Sequence, residues 1–134
     1  MQPSRRLVSA FKGATHLATA LILVQALLAG LFISEEEIDA KDVHEMAGNA
    51  LFVVVIAQLA LAYLVRGWGR FNLLLWVAAL AVLVFVQLGL GMASEDESVA
   101  EAIHVPLGVL LFGLATLIST LAFLEDRLPE RSPE

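Results

Sequence analysis

The 134-residue chain contains no cysteine. Disulfides, iron–sulfur clusters, thiolate zinc sites and cysteine nucleophiles are therefore excluded, although the compartment is left open. Charge is also scarce. Only 16% of the residues are charged, and 8 Lys and Arg stand against 14 Asp and Glu, a net charge of −6. A nucleic-acid partner needs the opposite balance. What remains is apolar: 59% of the residues are hydrophobic and the mean hydropathy is +0.82. A soluble domain of this length keeps too much surface in water to hide that fraction. Lipid is the solvent that removes the conflict.

Apolar stretches run over 11–33, 46–65, 71–93 and 103–123. Each is close to the ~20 residues that a helix needs to cross ~30 Å of hydrocarbon. They predict helices over about 11–33, 43–65, 71–93 and 102–123. The connections are short, so consecutive helices run antiparallel and lie side by side. The expected fold is all-α, an integral membrane four-helix up-down bundle. It forms one domain over residues 1–124, followed by a flexible cytoplasmic tail over 125–134. The basic start, 1–12, resembles a signal peptide. The apolar run continues to Ile33 with no Ala-x-Ala pattern close behind it, so the segment reads as a retained helix.

Basic residues set the expected orientation. Arg5, Arg6, Lys12, Arg66, Arg70, Arg127 and Arg131 fall on one side and only Lys41 on the other. The positive-inside rule then puts both termini and the 66–70 turn in the cytoplasm, in a multi-pass protein of the cytoplasmic (inner) membrane. Trp68 and Trp76 bracket the inner interface, where indoles prefer to sit. The outer segments 34–42 and 94–101 are acidic. Such segments are ordinarily just solvated, but they would also attract a basic redox protein such as a cytochrome c. Membrane lipid is the other partner implied.

The two halves of the sequence match. Val24-Gln25 and a small-residue helix end at Gly30 precede an acidic loop and then His44-x-x-x-Gly48, with Leu51-Phe52 following. Val86-Gln87 and a small-residue end at Gly91 precede an acidic loop and then His104-x-x-x-Gly108, with Leu111-Phe112 following. The expectation is a bundle of two repeated helix hairpins about an axis along the membrane normal, with a site where the repeats meet.

His44 and His104 start the second and fourth helices at equal depth, near the outer face. Across a four-helix bundle these helices are diagonal, and two facing histidines can take the two axial positions of a haem iron. Gly48 and Gly108 lie one turn inward on the same face, and Gly30, Gly89 and Gly91 lie at about that outer depth. Small residues on all four helices are what a flat macrocycle requires. Each histidine taken singly can be a solvated interfacial residue, and glycines often mark close helix packing without any ligand. Zinc or copper fits less well, because no third or fourth ligand is evident. His16 lies one turn inside the first helix at the cytoplasmic end and reads as a packing or snorkelling residue. Gln25, Gln58 and Gln87 read as interhelical hydrogen-bonding groups.

The pattern at His44 and His104 resembles one half of the haem A synthase family. The shared features are two histidines about sixty residues apart, Val-Gln before a small-residue helix end, and His-x-x-x-Gly, over 24–123. That family has two similar four-helix halves, each with histidines at the outer ends of its second and fourth helices, and in one half the pair ligates haem b. The resemblance implies a haem b ligated by His44 and His104. Departures are plain. There is one four-helix unit, and the cysteine pair often found in the family's first outer loop is missing. Asp39, Lys41 and Asp42 stand where the catalytic half has a glutamate, and Glu101-x-x-His104 lies in the second repeat instead.

The expected function is a membrane haem b-binding protein for bis-histidine electron transfer or haem holding. His44 and His104 would be the iron ligands, Gly30, Gly48, Gly91 and Gly108 would make space, and Lys41, the only outer cation, would pair with a propionate. Two alternatives stand beside it: a cofactor-free structural or assembly subunit of a membrane complex, and a minimal haem-modifying enzyme.

Overall fold

The computed structural model describes residues 3–33, 40–69, 71–93 and 98–127. They form four helices, α1 (Arg5–Ile33), α2 (Ala40–Leu64), α3 (Leu73–Ala93) and α4 (Ser98–Leu124), and one 3-10 turn at Glu125–Arg127. Each helix is long and apolar enough to cross a membrane. No strand occurs among the described residues.

Three of the helices begin several residues before their apolar stretches, and at α1 and α3 a cap rather than hydropathy sets the start. Ser4 caps α1, its hydroxyl accepting the Leu7 N–H at 3.3 Å. That adds a turn containing Arg5 and Arg6 to the helix expected from residue 11. Asn72 caps α3 through its side-chain oxygen and the Leu75 N–H, also at 3.3 Å, so that helix starts at Leu73 and not at 71. Pro106 lies inside α4. It has no N–H, so the Ala102 carbonyl loses its usual helical donor two residues before His104.

Around the ring, α1 packs on α2 and α4, and α3 packs on α2 and α4. That leaves α1–α3 and α2–α4 as the diagonals. Each helix contributes one buried stripe with steps of four, three and four residues. On α1 it is Phe11, Thr15, Ala18 and Ile22, and on α2 it is Leu51, Val55, Gln58 and Ala62. On α3 it is Leu73, Val77, Leu80 and Val84, and on α4 it is Leu111, Ala115, Ile118 and Ala122. This is the spacing of helices that interlock side by side. Thr19 and Ser119 join α1 to α4 through a 3.2 Å hydroxyl pair. Outside the stripes, large apolar side chains face outward: Leu27 is 64% exposed, Phe85 66% and Val109 70%. Only 17–28% of the apolar window of each helix is buried. That is untenable in water and ordinary in lipid, which is as apolar as the side chains themselves.

The α2–α3 connection is pinned from below. Gly69 has φ +79°, a backbone region side chains disfavour, and a Cβ there would collide with the Glu125 carboxylate. Glu125 is buried, and its Oε1 accepts the Phe71 N–H at 2.6 Å. Residues 125–127, the start of the segment expected as a tail, form a 3-10 turn in which Glu125 packs against the α2–α3 connection and supplies the acceptor for the Phe71 amide. Residues 128–134 lie outside the described residues.

Candidate functional site

The core stripes do not stop at Ile22, Leu51, Val84 and Leu111. Continued outward with the same spacing, they become Gln25 and Ala29 on α1, Gly48 and His44 on α2, Gln87 and Gly91 on α3, and Gly108 and His104 on α4. Their burial changes at that point. The inner stripe positions are buried, whereas all eight outer ones are half-buried. Large apolar filling is replaced by two amides, two imidazoles and four small residues. This end of the bundle is therefore polar-lined and sits on a buried hydrophobic layer of Ile22, Leu51, Val84 and Leu111.

The two histidines meet there. Their ring centroids are 6.4 Å apart, with the planes at 61°. They come from diagonal helices, so the contact runs through the bundle and not along one face. Each ring is held the same way. His44 Nδ1 lies 3.1 Å from the Gln25 backbone carbonyl, and His104 Nδ1 lies 3.2 Å from that of Gln87. A carbonyl only accepts, so Nδ1 is the donor, and in the neutral ring the lone pair then sits on Nε2. In return, Gln25 Nε2 donates to the His44 carbonyl and Gln87 Nε2 to the His104 carbonyl, each at 2.9 Å.

The glycines serve this arrangement unevenly. A Cβ on Gly48 would stand 3.1 Å from Gln25 Nε2, and one on Gly108 would stand 3.4 Å from Gln87 Nε2. The space expected beside these two for a macrocycle is thus taken by the glutamine amides. Gly91 faces a histidine: a Cβ there would lie 3.1 Å from His104 Cε1. Gly30 is different. It is exposed, with nothing described within 4 Å of a Cβ. One residue past the stripe position Ala29 is a rotation of about 100°, which turns Gly30 away from the histidines. Lys41 is exposed at the start of α2, its Nζ 3.9 Å from Glu45 Oε1, and Glu101 is exposed one turn before His104. His16 is exposed at the other end of α1.

Chemically, two imidazoles sharing one ion through bonds of ~2.0 Å stand about 6 Å apart between centres, so the observed spacing suits a shared ligand. Among the described residues, no group of three or more metal-ligating side chains comes together. Two buried acceptors at the site, Gln25 Oε1 and Gln87 Oε1, have no hydrogen-bond partner.

No protein-family profile, curated protein or solved structure matches the chain. Sequence reading found both histidines but missed their coupling to Gln25 and Gln87. The signal was available: extending the four-three stripe outward on all four helices puts the glutamines and histidines on the same faces.

Proposed function

We propose that the chain is a membrane haem b-binding protein that holds one haem between His44 and His104 near the outer face, for electron transfer or haem holding. The observation that carries this reading is the diagonal imidazole pair, 6.4 Å between centres, with each Nδ1 on a backbone carbonyl of the preceding helix. Metal-ligating histidines use their second nitrogen in this way. An ion that needs four protein donors finds two here, whereas an iron porphyrin brings four nitrogens and needs two. The half-buried outer stripe positions carry no large side chain except the amides and imidazoles. A haem held by His44 and His104 would supply a one-electron couple. The chain's own part is to hold the two rings, keep water from below through the Ile22, Leu51, Val84 and Leu111 layer, and leave the outer end accessible to a basic redox partner.

The same reading takes the bundle as up-down and built from two repeated hairpins. In support, the burial pattern over 41–51 recurs without change over 101–111, and the glutamine–histidine bonds recur in both hairpins. It also takes the protein as lying in the cytoplasmic membrane with both termini inside, in keeping with seven of eight basic residues on one side. The acidic stretches 34–39 and 94–97, where a basic partner would approach, lie outside the described residues. A second reading, a cofactor-free assembly subunit, is favoured by one observation. Gly48 and Gly108 are packed by glutamine amides, as in a helix seam.

Oxidised and reduced absorption spectra of protein purified from haem-replete cells separate the two. The haem reading expects low-spin spectra with split visible bands and a ferrous form that resists carbon monoxide. His44→Ala and His104→Ala should each abolish the low-spin species, and His16→Ala should not. A colourless preparation would sink the haem reading and leave the assembly subunit.

A further inference from the structure

Each histidine is held by a closed ring of two bonds that a generic helix contact does not need. The Gln25 carbonyl has a second lone pair beyond the one used within α1, and the His44 ring takes it. The Gln25 amide then reaches back to the His44 carbonyl, tying the backbone of α2 to the same turn of α1. Gln87 and His104 repeat both bonds within 0.1 Å. A Cβ at Gly48 would crowd the Gln25 amide at 3.1 Å, and one at Gly108 would just touch the Gln87 amide at 3.4 Å. Stability alone does not account for glutamine at these positions. Each amide makes one bond but buries an oxygen with no partner, and such an oxygen costs at least as much as one bond returns. A Leu or Met would fill the place without that loss, so the N–H donor is what the position requires.

We propose that Gln25 and Gln87 are positioning residues, which fix the proton of His44 and His104 on Nδ1 and aim both Nε2 lone pairs at a shared iron. The aiming rests on the haem reading above, whereas the proton position does not. Loss of the amide frees the ring to turn away from the carbonyl, so that either nitrogen carries the proton. With haem bound, a looser Nδ1–H bond makes a weaker axial ligand.

The test uses the full chain in detergent, with ¹⁵N-labelled histidine, first without haem and then with added hemin. In the haem-free wild type, both His44 and His104 should show the Nδ1–H tautomer. Gln25→Met should mix the tautomers of His44 alone and Gln87→Met those of His104 alone. Gln58→Met, which removes a more deeply buried amide elsewhere in the stripe, should change neither. With hemin, each of the first two variants should lose it about tenfold faster and shift the midpoint potential, and Gln58→Met should do neither. An Nε2–H tautomer in the wild type overturns the proposal before any variant is made. Unchanged tautomers in Gln25→Met and Gln87→Met also overturn it, whether or not hemin binds. Failure of the wild type to bind hemin overturns the haem reading, while the haem-free tautomers still decide the role of the glutamines.

Discussion

Replacing Gly91 by Ala separates a site from a packing seam. The added Cβ lies 3.1 Å from His104 Cε1, where ordinary contacts begin near 3.4 Å, so the ring must retreat by a few tenths of an ångström. The His104 Nδ1 to Gln87 carbonyl bond already measures 3.2 Å, and that retreat carries it toward the ~3.5 Å beyond which little of a hydrogen bond remains. Losing it costs about 1 kcal/mol. Alanine in place of a helical glycine returns about 1 kcal/mol. The two nearly cancel, so denaturation in detergent should show stability unchanged to within about 1 kcal/mol, while haem is retained about tenfold more weakly. Gly30→Ala is the control: it is exposed, its Cβ meets nothing described, and haem retention should be untouched. Equal loss in both variants, or none in Gly91→Ala, would refute the placement of Gly91 against a ligand.

Other parts of the fold make equally direct predictions. Gln58 is 1% exposed and neither amide atom has a partner, so Gln58→Leu should raise stability by about 1–2 kcal/mol, and a clear loss in a denaturation assay would show that the amide is satisfied by something bound. Gly69→Ala should cost more than ~1 kcal/mol, since it combines positive φ with a clash against Glu125, while exposed Gly67→Ala should be near neutral; similar costs would refute the pinned turn. Single cysteines at Glu36, Gly67 and Glu97 should label from outside, inside and outside, and outer labelling of Gly67 would invert the orientation.

The membrane-spanning character was legible because it is a local property. Twenty apolar residues in succession need lipid wherever they sit, and nothing distant alters that. Helix ends were legible only to within a turn or two, because Ser4 and Asn72 act through hydrogen bonds that hydropathy does not register. The role of Glu125 was hidden for a similar reason. Glu125 looks like a solvated acid until the Phe71 amide is seen to need it, and those residues are 54 apart in sequence.

At the candidate site the division is sharper. His44, His104 and the glutamines were each visible as polar residues in apolar helices, and matched spacing paired the two histidines. Gly30 shares the depth of the other glycines but is exposed, because depth along a helix is read by counting, whereas the face depends on angle and one residue is enough to turn it. The sequence by itself determined four apolar helices and the polar residues at one end, all consequences of local composition and period. Only the tertiary structure decided that two imidazoles stand 6.4 Å apart with their Nδ1 atoms engaged. That distance depends on the rotation and register of four helices together, which are set by how the stripes from Phe11 to Ile22, Leu51 to Ala62, Leu73 to Val84 and Leu111 to Ala122 interlock.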